Sequence, residues 1–208
     1  PVAKTAIEKA DSNAEKLSFI VEEMSAVVGG IKTGVKRIVK VVDSLKAFSR
    51  KESAEKIPFN LLDSLETALV LCKRVMNNNV VVDKKILESS FCVLGDSQQI
   101  EQVLINLFVN ATDAMEGQKD AKITIDIRDV NGAITMRVYD NGPGISQETL
   151  EKLWEPFFTT KEAGKGTGLG LPIVRSIIEG HNGQIDVQNR AEGGLEFIIQ
   201  LPAYANGD

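Results

Sequence analysis

The chain has 208 residues, 43% of them hydrophobic, with 24 Lys and Arg against 29 Asp and Glu, two cysteines and one histidine. That length suits one medium domain plus a smaller element, and no stretch reaches the roughly 18 uncharged apolar residues of a membrane span or opens like a secretion signal, so a cytoplasmic fragment without membrane contact is expected. A net charge of −5 gives no footprint for nucleic acid, Cys72 and Cys92 lack zinc-site spacing and read as reduced thiols, and a single His excludes chemistry that needs a pair.

The first segment carries a heptad seam. Ala3, Ile7, Ala10, Ala14, Leu17, Val21, Met24, Val28, Ile31, Val35, Ile38, Val42 and Leu45 recur in alternating steps of three and four. Lys and Glu fill the opposite face, so the seam needs a partner helix, and a homodimer through these helices is expected. Asp11-Ser12-Asn13 is turn-like, and Ser12 with Glu15 has the spacing of a capping box. Gly29-Gly30 is the other place for a turn. Each mid-helix Gly costs about 1 kcal/mol relative to Ala, yet the register passes through them unshifted. The expectation is a turn near residue 12 and a long helix to about Arg50. Pro58 ends the segment, because the residue before proline is pushed out of the helical region, giving units 1–57 and 58–208.

From Pro58 the pattern is α+β. Leu61, Leu62, Leu65, Ala68, Leu69, Cys72 and Val75 recur at helical spacing, and Val80 to Val82 and Phe91 to Leu94 read as a pair of short strands. Between Ser97 and Met115 the apolar set Ile100, Val103, Leu104, Leu107, Phe108, Ala111, Ala114 defines one helix face. Ile123, Ile125, Ile127 and Ile134, Met136, Val138 alternate on either side of Asn131-Gly132, which marks a two-residue hairpin turn. A second hairpin runs from Gln184 to Leu201 around Gly193-Gly194. Helices on one face of a mostly antiparallel sheet follow, a two-layer sandwich.

Four features carry the chemistry. On the helix from Ser97, Gln99, Gln102, Asn106, Asn110 and Asp113 form one stripe beside the apolar face. A solvated stripe favours Lys, Glu and Arg, whereas Asn costs helix propensity, so two Asn at i and i+4 point to oxygen ligands for a hard cation. Asp140-Asn141-Gly142-Pro143-Gly144-Ile145 follows a strand: a fixed acceptor for an exocyclic amine, with glycines that let a flat ring approach. Gly164-Lys165-Gly166-Thr167-Gly168-Leu169-Gly170-Leu171-Pro172 runs into a helix, whose unpaired N–H groups suit phosphates. It has neither P-loop spacing nor the preceding strand of a dinucleotide fingerprint. Trp154 to Lys161 reads mainly as minor core anchoring that loop, with Thr160 and Lys161 as candidate phosphate contacts.

Taken in order, these stretches resemble the N, G1, F and G2 boxes of sensor histidine kinases, members of the GHKL superfamily, over roughly Pro58 to Pro202. The resemblance implies the GHKL, or Bergerat-type, fold and a kinase that passes the γ-phosphoryl of Mg-ATP to a His and then to an Asp of a response-regulator receiver domain. By it, Asn110 coordinates Mg²⁺ and Asn106 lies near the phosphates, with Asp113 also among the nucleotide-binding residues. Asp140 binds the adenine amine, framed by Gly142, Gly144 and Ile145. Thr160 and Lys161 lie near the phosphates, and Gly166, Thr167, Gly168, Leu169, Gly170 and Leu171 close over them. Val35 to Arg50 looks like the second helix of the family's dimerisation and phosphotransfer domain.

Two departures stand out. No H-E-x-x-N-P-like stretch is present, and His181 lies where these kinases carry a structural turn, so the acceptor His is expected just upstream of Pro1, in a larger sensor. Leu195-Glu196 stands where small or hydroxyl residues are common. Two rivals are a GHKL ATPase or protein-serine kinase, and a nucleotide-gated adaptor without catalysis. A water-splitting relative needs a carboxylate base near Asn106, and an amide cannot accept a proton.

Overall fold

The computed structural model describes residues 16, 20–21, 23–25, 27–32 and 34–35, and then 56–204 apart from 77–78, 89 and 163–165. The chain divides into two units, 1–43 and 44–208. In the first, every described residue is helical, Gly29, Gly30 and Gly34 among them. Val21, Met24, Val28, Ile31 and Val35 of the seam are 54–63% exposed. The expected turn near residue 12 and the helix end at Arg50 lie outside the described residues.

The second unit runs β1 (Ile57–Asn60), α1 (Leu61–Met76), β2 (Val80–Ile86), β3 (Cys92–Gly95), α2 (Ser97–Ala114), β4 (Ala121–Val130), β5 (Ala133–Asp140), α3 (Gln147–Lys152), α4 (Gly170–Gly180), β6 (Gln184–Asn189) and β7 (Leu195–Pro202). Five strands form one sheet in the order β2-β4-β5-β7-β6, and β1 with β3 forms a separate two-stranded sheet. Only β2 with β4 is parallel in the larger sheet; its other pairs are antiparallel.

The register lines up one apolar face. Ile125 sits opposite Val138, Val138 opposite Phe197 and Phe197 opposite Val187, with Ile127, Met136, Ile199 and Ile185 forming the next row. On this face Ile123, Ile125, Ile127, Met136 and Ile199 are fully buried. The apolar sides of α1, α2 and α4 complete the core with Leu61, Leu65, Val103, Leu104, Phe108, Val174 and Ile178. The hairpin turn follows the sequence: Asn131 and Gly132 both have positive φ, 56° and 80°, as a type I′ turn requires.

Two sequence expectations are corrected. The segments at Val80 and Phe91 are strands, but they do not pair with each other: β2 adds to the edge of the large sheet beside β4, and β3 pairs with β1. Nor does Pro58 lie between elements, because it stands within β1, opposite Leu94. A strand that pairs on one side only accommodates a proline with no N–H to give.

The histidine joins two of these elements. Buried at 3% exposure, His181 follows α4; its Nε2 accepts the Asp96 N–H at 3.0 Å and its Nδ1 lies 2.8 Å from the Ile177 carbonyl. The ring therefore carries its proton on Nδ1 and serves as a structural link. Asp96 in turn caps α2, its carboxylate accepting the N–H groups of Gln98 and Gln99. A Cβ on Gly95 would lie 2.1 Å from the imidazole, so the ring sits where only glycine leaves room.

Candidate functional site

Asp140 ends β5 with the parity of Ile134, Met136 and Val138, so the pleat turns its carboxylate into the buried layer. Only 5% exposed, it receives the N–H groups of Gly142 at 2.8 Å and Leu195 at 3.3 Å, both on Oδ1. Burial pushes its pKa above the usual carboxylate value, and the two backbone N–H groups and Arg190 pull the other way. Leu195 thus supplies its backbone to the site, while Glu196 points to the opposite sheet face, where it meets Gln188 and Arg137.

The loop after Asp140 is pinned from two sides. Asn141 accepts the Lys122 N–H and donates to the Asp120 carbonyl, both at 2.8 Å, tying the loop to the start of β4. Asn189, at the end of β6, accepts the Ile145 N–H at 2.9 Å and donates to the Ile145 carbonyl at 2.6 Å. Gly144 has φ 72°, and a Cβ there would lie 2.7 Å from Asn189 Oδ1. A Cβ on Gly194, at φ 92°, would lie 2.0 Å from the Asp140 carbonyl oxygen. Asn189 and Gly194 were not singled out from the sequence. The Gly193-Gly194 turn was the available signal for one; Asn189 meets Ile145 across 44 positions and leaves no local signature.

On α2 the amide stripe is half-buried at Asn106 and Asn110 and exposed at Asp113. Lys161 donates to Asn110 Oδ1 at 3.1 Å and to Asp113 Oδ2 at 2.5 Å. Asn106 Oδ1 lies 3.3 Å from the Cβ position of Gly170, so this amide faces the first residue of α4. That helix starts with no side-chain cap, Leu169 occupying the capping position. Asn110, Asp113 and Lys161 are thus joined, and Asn106, one turn earlier on α2, adjoins the start of α4 at Gly170. Thr160 is exposed beside Lys161 in the chain.

The glycine-rich segment is stitched to the aromatic one before it. Phe157 N–H donates to the Gly168 carbonyl at 2.9 Å. Gly168 has φ 65°, and a Cβ there would lie 2.3 Å from the Phe157 backbone. Leu169 N–H reaches Thr167 Oγ1 at 3.4 Å, and a Cβ on Gly166 would meet Thr159 Oγ1 at 2.3 Å. Gly164 and Lys165 lie outside the described residues. Trp154 packs edge-on against Phe197, as an anchor should, but Phe157 is 65% exposed and does not join the core. Its φ of 69° accompanies this outward placement.

Helices on one face of a mixed sheet, with one amide of α2 facing the uncapped start of α4, match the fold of the GHKL histidine kinase catalytic domain. The chain belongs to the family of histidine kinase-, DNA gyrase B- and HSP90-like ATPases, whose model matches residues 95–205. The two-component sensor PprA of Pseudomonas aeruginosa is 37% identical over 177 residues, 82% of this chain and 19% of that protein. Sporulation kinase C of Bacillus subtilis is 32% identical over 81% of this chain and 39% of its own length. The catalytic domain of histidine kinase ThkA superposes with a TM-score of 0.64 at 36% identity, covering 72% of this chain and 97% of that domain. ThkA in complex with the response regulator protein TrrA gives 0.68 at 31% identity, covering 84% and 49%. Residues 95–205 are therefore a catalytic domain of the sensor-kinase kind, and the chain spans well under half the length of these two curated relatives.

Proposed function

We propose that this chain is the ATP-binding and catalytic part of a cytoplasmic sensor histidine kinase region. It works as a homodimer through its N-terminal helices and passes the γ-phosphoryl of ATP to a histidine outside these residues, for relay to a receiver-domain aspartate. The observation that carries the reading is Asp140: a buried carboxylate whose two backbone donors share one oxygen, Oδ1, at the edge of a loop that only glycines can form. Its Oδ2 accepts the adenine amine, and Gly142, Gly144 and Ile145 frame the ring. Thr160, Lys161 and the backbone from Gly166 to Leu171 hold the phosphates, with the start of α4 contributing its unpaired N–H groups.

The residues around Asn110 fit Mg²⁺. A side-chain carbonyl and a carboxylate already share a cation there, the Lys161 ammonium. Among the described residues no group of three His, Cys, Asp or Glu comes together, so a divalent ion here takes few protein oxygens and draws the rest from water and phosphate. Asn110 would hold the ion, which supplies charge neutralisation at the phosphates. The protein's share is positioning and electrostatics, since phosphoryl transfer asks little covalent chemistry of it. Asn106 is an amide and takes no proton from water, which favours transfer to a histidine over hydrolysis.

The test is a calorimetric titration of AMP-PNP with and without Mg²⁺, beside Asp140→Asn, followed by ATP with an acceptor-bearing helical domain supplied in trans. Binding lost in the variant, and an acid-labile, base-stable label on the acceptor, support the proposal. Steady multiple-turnover hydrolysis, or nucleotide-dependent dimerisation with no transfer, would overturn it in favour of an ATPase or an adaptor.

A further inference from the structure

Lys161 is held by two partners that differ in kind. Asn110 offers a neutral carbonyl at 3.1 Å; Asp113 offers a carboxylate at 2.5 Å. The two lie three apart on α2, hence on one side of the helix, and the lysine arrives from 48 positions beyond Asp113. Its backbone is ordered on arrival, with Lys161 N–H bonded to Thr159 Oγ1 and the preceding turn fixed by Phe157 and Gly168. An acidic side chain beside a triphosphate site opposes anion binding. Its presence there calls for a reason other than contact with nucleotide.

We propose that Asp113 is a positioning residue that parks the Lys161 ammonium on Asn110, so that Lys161 and Mg²⁺ use the same oxygen by exchange. This rests on the nucleotide-site reading above and assigns Asp113 a different role from direct nucleotide contact. Without metal, Lys161 neutralises the stripe and keeps the Asn110 carbonyl turned towards the site. When a divalent ion takes Asn110 Oδ1, repulsion between the two cations drives the Lys161 ammonium off that oxygen, and Lys161 turns to the phosphates. Asp113 competes with phosphate for the same lysine, which makes metal-free nucleotide binding weak and metal-dependent binding selective.

The experiment compares AMP-PNP affinity, in EDTA and in excess Mg²⁺, for the full chain, Asp113→Asn, Lys161→Met and the double variant. Both side chains are partly exposed, 44% and 32%, so the variants keep the fold, which unchanged unfolding midpoints would verify. The expected result is that Asp113→Asn tightens binding in EDTA by about threefold to tenfold, the effect of freeing one charge-assisted partner. That gain is absent in the Lys161→Met background and smaller in Mg²⁺. Asp113→Glu, which keeps the charge, keeps the wild-type metal dependence. An equal gain in both backgrounds would mean simple removal of a negative charge and would overturn the proposal, as would no effect of Asp113→Asn. Failure of the unaltered chain to bind AMP-PNP in either condition sinks the nucleotide-site reading itself. Binding without coupling sinks only the exchange.

Discussion

At the scale of single residues, Asp140 places function against stability. Its pKa is raised by burial, so the folded state binds a proton more readily than the unfolded chain does. Stability therefore falls as pH rises from the ordinary carboxylate value through the raised one, and the cost stays constant above it. Asp140→Asn keeps an oxygen for the Gly142 and Leu195 N–H groups and removes the buried charge. The variant should melt at a higher temperature than the parent at neutral pH, with the difference shrinking on acidification, while AMP-PNP binding is lost; calorimetric scans from pH 7 towards pH 4 check the sign. Wild-type binding should likewise fade at a pH above that expected of an exposed carboxylate. This residue was legible in the sequence because its signals are local: a strand end followed by two glycines. The sequence marks Lys161 as a candidate phosphate contact, but its seat on Asn110 and Asp113 was not legible, since nothing in the spacing shows which turn of a helix a distant loop will meet.

At the scale of elements, the join between α2 and α4 depends on a glycine and an imidazole. A Cβ on Gly95 would stand 2.1 Å from the His181 ring, too close for any rotamer to relieve without moving the strand end. Gly95→Ala should cost more than about 2 kcal/mol, as overpacked sites do, and His181→Ala about 1–3 kcal/mol for the orphaned Asp96 N–H, both read from urea unfolding midpoints. If Gly95→Ala in a His181→Ala background costs as much as it does alone, the clash is not the cause. Elements with strong periodicity were readable: α2, both hairpins and α4 stand where the pattern puts them. The four-residue β1 was not, because its Pro58 reads as a breaker and leaves only three residues to carry a strand pattern. The pairing of β2 and β3 was also misjudged. Neighbours in sequence are the natural first guess for a pair, but β3 is drawn to β1 and β2 to the parallel edge of β4.

At the scale of the whole molecule, the division into units 1–43 and 44–208 makes a separable prediction. The fragment 56–208 should bind AMP-PNP with the affinity of the full chain, while any concentration-dependent dimer seen by sedimentation of the full chain should vanish. The exposed seam at Val21, Met24, Val28, Ile31 and Val35 gives the reason for the second half. Loss of binding in a folded fragment would overturn this expectation. The parallel β2–β4 pair has a kinetic consequence. The β4–β5 ladder closes through a two-residue turn, whereas β2 meets β4 only after everything from Leu87 to Asp120 is accommodated, α2 included. Closing that long loop costs chain entropy before any contact offsets it. Pulse-labelling hydrogen exchange during refolding should therefore find amides of Ala133–Asp140 protected ahead of those of Val80–Ile86. The helix bearing Asn106 and Asn110 lies within that late-closing loop, so the proposed metal and phosphate residues are expected to reach their final setting with the sheet edge rather than with the β4–β5 hairpin.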